Sequence, residues 1–155
     1  MSEPSISPVE RFKLIPAVYL VLRKDSMVLL LRRANTGYQD GNYSVIAGHL
    51  EGGEFAAAGM IREAKEEAGI DIDPVDLKLV RTIHRLNKNE VDQERIDLFF
   101  EATRWHGEII NAEPNKCDDL SWFPISHLPN NMLPFVKEVI TDTSHQISYS
   151  EYTSL

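Results

Sequence analysis

Four small or aliphatic residues, Ala57, Ile61, Ala64 and Ala68, recur at spacings of four, three and four in the middle of the chain. That period predicts a helix from about Phe55 to Ala68 with one narrow apolar stripe. Gly69 follows, where a helix C-terminus favours a left-handed residue. Three of the four stripe residues are Ala, so this helix has to pack close against its neighbour, and the runs on either side of it read as strands. A helix laid on a sheet is therefore the frame that the rest of the chain must fit.

The segment "LIPAVYLVLRKDSMVLLLRR" gives two apolar runs divided by Lys24-Asp25, which predicts a hairpin of well-buried strands. "ANTGYQDGNY" reads as loop, and "YSVIAGH" as a short strand entering a Gly-rich turn. Beyond the helix, "LKLVRTIHRL" and "RIDLFFEATRW" predict strands joined by the polar loop Asn87 to Glu94. "LSWFPI" predicts a short strand stopped at Pro124, and "NNMLPFVKEVITDT" a second helix with Pro134 near its first turn. Strands around two helices predict an α/β sandwich with a mixed sheet. Residues 1–11 are expected to form a loose arm and residues 12–143 the domain. Residues 144–155 are expected to be a tail that is mobile or becomes a strand with a partner.

A formal net charge of -8 disfavours a broad basic face of the kind that holds polynucleotide phosphates, so long nucleic acid is not the expected partner. A small anionic ligand remains compatible, provided cations screen it from the protein. The single cysteine, Cys117, rules out an internal disulfide. The opening "MSEPSISPVE" has neither a basic start nor an apolar run, and no stretch reaches membrane-spanning length. The expectation is a cytoplasmic protein without membrane contact.

On the predicted helix, Glu63, Glu66 and Glu67 fall together on a face roughly opposite the Ala/Ile stripe. Like charges three and four apart repel by a few tenths of a kcal/mol per pair, so a chain gains nothing from them without a cation. The cluster follows "GHLEGGE", whose glycines at 48, 52 and 53 let backbone approach a ligand. The helix also begins there, and its first N–H groups favour anions. Hard carboxylate oxygens beside such a turn suit Mg²⁺ or Mn²⁺.

Gly48, five residues, Glu54, seven residues and then "REAKEEAGI" match the Nudix box through Arg62, Glu63, Ala64, Glu66, Glu67, Gly69 and Ile70. The chain thus resembles the Nudix family from about Phe12 to Thr141. The resemblance implies a Nudix-type α/β/α sandwich with a central mixed β-sheet. It also implies hydrolysis of a nucleoside diphosphate-linked substrate with Mg²⁺ or Mn²⁺. Glu63, Glu66 and Glu67 would be metal ligands, with the Gly48 carbonyl beside them, and Glu54 and Arg62 a structural ion pair. The general base would be Glu67 or an acid in "NAEPNKCDDLSW", Glu113 or Asp118. Ala47 stands where many members carry the first of two glycines.

Arg33 resembles a phosphate-contacting position of MutT-like members, and Asn131 a base-contacting one, although Asn131 equally suits a helix N-cap. His49 adjoins the glycines and is a candidate phosphate contact. Arg32 reads as an edge charge, and His84, Trp105, Trp122 and Phe123 as structural. The run "SQPWPFPxS" of NADH-type members, the proline of ADP-ribose enzymes and the upstream signature of coenzyme A enzymes are all absent. Elimination leaves a small-molecule nucleotide substrate, a nucleoside triphosphate cleaved to monophosphate and pyrophosphate. The alternatives are ADP-ribose, nucleotide sugars, RNA 5′ ends, or a non-catalytic nucleotide-binding regulator. The resemblance also admits a homodimer.

Overall fold

The computed structural model describes residues 8–89 and 93–154, so residues 1–7 of the N-terminal arm and the middle of the polar loop at 90–92 lie outside the described residues. The strands are β1 (Ile15–Lys24), β2 (Met27–Arg33), β3 (Tyr43–Ser44), β4 (Ile46–His49), β5 (Lys78–Asn87), β6 (Arg95–Ala102), β7 (Cys117–Pro124) and β8 (Tyr149–Ser154). The helices are α1 (Ala56–Ala68) and α2 (Pro134–Thr141). The fold is α/β with a mixed sheet and two helices, as the sequence predicts.

β1 organises the molecule. It pairs antiparallel with β4 and parallel with β6; β6 pairs antiparallel with β5, and β5 parallel with β8. Its alternate residues enter different cores, which explains why it reads as a continuous apolar run rather than an alternating one. Ala17, Tyr19 and Val21 meet Phe135, Val136, Val139 and Ile140 of α2. Val18, Leu20 and Leu22 meet Met60, Ala64 and Ala68 of α1. The expected β1–β2 hairpin forms, but its register covers only Arg23↔Val28 and Lys24↔Met27. Past the turn the strands part, and β2 takes β3 and β7 as partners. β7 begins at Cys117, three residues before the sequence signal at Leu120.

Two expectations need correction. The period of α1 was read correctly and its phase was not: its buried residues are Gly59, Met60, Ala64 and Ala68, while Ala57 and Ile61 are only half-buried. The C-terminal segment, expected as a tail, contributes a strand that pairs within the chain. Residues Tyr149–Ser154 pair with Thr82 to Asn87 of β5 as the edge strand β8. Several charged side chains also lie inside, among them Asp97 of β6, which is fully buried, and Arg85 of β5, which is nearly so. These two form an ion pair, and the guanidinium stacks 4.2 Å from the Phe135 ring.

Candidate active site

Gly69 ends α1 in the left-handed conformation, with φ of 69°, and its N–H caps Lys65 O. α1 leans on β4 along its middle and last turn, and this contact sorts the three glutamates. Glu67 turns in toward β4, where its Oε2 accepts the Ala47 N–H at 3.0 Å. Glu63 packs over Gly48 so closely that a Cβ on residue 48 would stand 2.1 Å from its carboxylate carbon. Glu66 is the exposed member, its side chain 48% accessible against 12% for Glu63. The three therefore do not share one solvated face opposite the stripe, as the helical wheel alone suggested. Two of them flank the buried side.

Their chemistry follows from that placement. Burial, then the neighbouring charge of Glu63, pushes the Glu67 carboxyl up to about 8. Burial raises Glu63 as well, against the pull of Arg62. Cationic charge beside Glu63 and Glu67 would favour their ionised forms, and hard oxygen donors fit Mg²⁺ or Mn²⁺. Among the described residues no three such side chains already point at one centre. The reason is visible in the bonds they make. Arg62 holds Glu63 at 2.8 Å and reaches Glu66 at 3.4 Å, and Ala47 holds Glu67. Binding a metal would require these carboxylates to turn from Arg62 toward the cleft.

The expected Glu54–Arg62 ion pair is present. Arg62 Nη2 lies 2.7 Å from Glu54 Oε1 and Nε 3.1 Å from Oε2, while Glu54 also accepts the Glu51 N–H. Arg62 further donates to the His49 carbonyl and so ties the glycine turn to α1. Glu54→Gln should accordingly lower the melting temperature of the metal-free protein, whereas Glu63→Gln should leave it unchanged or raise it. Thermal melts in chelator compare the two. Gly48→Ala should act differently: the new methyl displaces only the end of the Glu63 side chain, so turnover falls at least tenfold while the melting temperature moves little.

A cleft of about 530 Å³ gathers most of the candidates. Its acidic wall carries Glu63, Glu66, Glu67 and Glu113, and Gly48 and His49 form its edge. Arg33, Arg85, Arg95 and Lys116 supply positive charge to the same cleft. Of the two later acids, Glu113 lines the cleft, while Asp118 does not and is bound to Arg32 at 2.6 Å. Arg33 lines it too, and braces the adjoining loop through Tyr38 O and Thr36 Oγ1. His49 Nε2 lies 2.5 Å from Arg95 Nη1, and burial together with that charge pushes its pKa below the usual histidine value. That shift favours the neutral ring, and because a guanidinium can only donate, Nε2 is the acceptor in this contact. Asn131 is not among the lining residues. Its side chain donates to Gly41 O, and the N-cap of α2 is Leu133. Trp105 stacks on Trp122 at 5.9 Å and packs against the α1 core, as expected of a structural residue.

Sequence reasoning missed Arg85, Arg95, Lys116 and Tyr38 as cleft residues. The signal available was the presence of charges inside strand runs, "IHRL" and "RIDLFF", where a half-buried strand rarely spends its inward positions on charge. Sequence reasoning also found no second pocket. A cavity of about 350 Å³ adjoins the cleft, sharing Tyr38, Arg85 and Arg95 with it.

The NUDIX domain family matches residues 13–143. The chain belongs to the Nudix hydrolase family. It is 36% identical over 118 residues to the NAD-capped RNA hydrolase NudC of Vibrio atlanticus (strain LGP32), covering 76% of this chain and 40% of that protein. It is 29% identical over 117 residues to the protein of the same name from Stutzerimonas stutzeri (strain A1501), covering 76% and 39%. The chain thus spans about two-fifths of the length of these curated relatives. Among solved structures, the MutT NUDIX hydrolase from Burkholderia pseudomallei superposes with a TM-score of 0.77 at 18% identity, covering 85% of this chain and 99% of that one. The MutT protein from Bacillus halodurans gives 0.73 at 21%, covering 90% of each. At these identities the structural likeness speaks for the fold. No helix among the described residues is long and apolar enough to cross a membrane.

Proposed function

We propose that the chain hydrolyses the pyrophosphate linkage of a nucleoside diphosphate-linked substrate, with divalent cations held by Glu63, Glu66 and Glu67 and the Gly48 carbonyl beside them. The observation that carries this reading is the single cleft in which these carboxylates share space with Arg33, Arg95 and Lys116. A pyrophosphate repels nucleophiles, so catalysis has to neutralise its oxygens and orient a water. Mg²⁺ or Mn²⁺ at the carboxylates would supply charge neutralisation and lower the pKa of a bound water. Arg33, Arg95 and Lys116 bind the phosphate oxygens remaining on the basic side. Neutral His49 keeps Arg95 aimed into the cleft. Glu113 takes the proton of the attacking water, because Glu67 is engaged as a ligand and Asp118 faces Arg32. The water oxygen bonds to phosphorus, and the other phosphate leaves with the bridging oxygen.

Two substrate readings have support. The absent subgroup signatures favour a nucleoside triphosphate, although Asn131 does not reach the cleft to contact a base. The names of the curated relatives and the adjoining second cavity favour a substrate with a further group beyond the pyrophosphate, such as a dinucleotide or an RNA 5′ end. A competition assay at fixed Mg²⁺, with products separated by chromatography, decides between them. It pits a nucleoside triphosphate against ADP-ribose, a dinucleotide and a 5′-capped oligoribonucleotide. A nucleoside monophosphate among the products is expected from the preferred substrate. Absence of hydrolysis across the panel would remove the enzymatic reading.

A further inference from the structure

Glu113 lines the cleft from the turn that enters β7, and it can serve there only if that turn is held in place. The turn closes on itself. The Glu113 carbonyl accepts the N–H groups of Lys116 at 2.9 Å and Cys117 at 3.1 Å, with Pro114 where such a turn favours it. On one side the turn is tied to α1, since the Ala112 N–H donates to the Glu67 carbonyl at 3.1 Å. On the other side it is tied to the chain leaving β2. The β2–β7 register runs out at Arg33↔Cys117. One step on, the Ala34 N–H donates to Lys116 O at 2.9 Å. At the next step a side chain continues the ladder: Asn35 Nδ2 donates to Asn115 O, also at 2.9 Å. The Asn35 backbone has by then turned into the left-handed region, with φ of 54°, which Asn adopts more readily than most residues.

One hydrogen bond acts as a hinge, whereas two from consecutive residues set an orientation. Without the Asn35 bond the Ala112 and Ala34 ties would remain, and the stretch between them, which carries Glu113, would be free to swing. The donor is itself well fixed. The N–H groups of Thr36 and Gly37, the next two residues, donate to Asp40, and Arg33 Nη2 donates to Thr36 Oγ1 at 3.1 Å. We infer that Asn35 is a positioning residue for Glu113: its side-chain amide holds the turn against the end of β2 and so keeps the carboxylate aimed into the cleft. The inference rests on the hydrolase reading above, with Glu113 as the general base. A base has to stay within hydrogen-bond reach of the proton it takes, and a displacement of about 1 Å can cost on the order of 10²-fold in rate. The Asn35 bond is exposed, so its loss costs the fold little.

The test is a double-mutant cycle in kcat and KM, with melting temperatures alongside. It is run with Mg²⁺ on the member of the nucleotide panel above that wild type cleaves fastest. Asn35→Gly keeps the left-handed backbone and removes the amide, while Asn35→Asp keeps the shape and, ionised, cannot donate. Both should lower kcat about tenfold, with KM changed by less than about twofold and the melting temperature nearly unchanged. In a Glu113→Gln background the same substitutions should lower kcat by less than about twofold more. A raised KM at wild-type kcat would show that Asn35 touches substrate directly, and would overturn the inference. An equal fold loss in both backgrounds, or wild-type kcat in both Asn35 variants, would overturn it too and leave Glu113 as the base. Wild-type turnover in Glu113→Gln would overturn the base and the inference together and leave the hydrolase reading standing. Absence of turnover across the panel would overturn all three.

Discussion

Glu67→Gln should reduce hydrolysis with Mg²⁺ on the order of 10³-fold, about 4 kcal/mol of lost transition-state stabilisation, without unfolding the protein. The amide keeps an oxygen to accept the Ala47 N–H, so the local bond survives. What it removes is the charge of the most deeply placed carboxylate in the cleft. The same substitution should change how stability depends on pH. The Glu67 carboxyl titrates near 8 in the folded metal-free protein, against a reference value of 4.5. Between those values the folded state holds a proton that the unfolded state has released, so stability falls as pH rises from about 4.5 to 8 and then levels off. Metal-free wild type should therefore lose more melting temperature between pH 5.5 and 8.5 than Glu67→Gln. Because ligands bind metal deprotonated, metal affinity should rise over the same interval. A Glu67→Gln variant with wild-type turnover would remove Glu67 from the metal site.

The largest effect on stability should come from Asp97→Ala. Asp97 is fully buried, and the Arg85 guanidinium it receives also donates to the hydroxyls of Tyr19 and Tyr38, each at 3.2 Å. Burial alone pushes the Asp97 carboxyl up, and Arg85 opposes it. Removing the carboxylate strands a guanidinium between Phe135 and two tyrosines. Breaking such a pair costs about 3–5 kcal/mol, a large part of the roughly 5–15 kcal/mol that holds a domain folded. The double variant Arg85→Met with Asp97→Leu should recover most of this, since it leaves no charge behind. Urea titrations of the three proteins give the comparison. A single variant as stable as wild type would show that water reaches Arg85.

The box was legible because its pattern is local: the candidate metal ligands, a helix end and a capping glycine all lie within one stretch of chain. The ion pair of Glu54 and Arg62, eight residues apart, was legible for the same reason. The phase of α1 was not, since Ala57 and Ile61 fit a helical period as well as Met60 does, and only the docking of β4 decides which flank is covered. The pairing of β8 within the chain was not legible because "YSEYTS" is an edge strand held to β5 mainly by backbone pairing, with just Ser150 and Tyr152 turned half inward. The Arg85–Asp97 pair needed the register of β5 and β6. Ile83 faces Asp97 and Arg85 faces Arg95, which places Asp97 diagonally beside Arg85 on one face. The basic side of the cleft draws on β2, β5, β6 and the loop before β7, and no sequence spacing connects them.

The most direct test of the proposed chemistry is turnover of the preferred nucleotide in excess EDTA, followed by addition of Mg²⁺ beyond the chelator. If Glu63, Glu66 and Glu67 hold the catalytic cations, product formation stops in EDTA and returns with Mg²⁺ in wild type, and fails to return in Glu67→Gln. Undiminished turnover in EDTA would contradict the account, because the carboxylate wall would then face a polyanionic substrate with no cation between them.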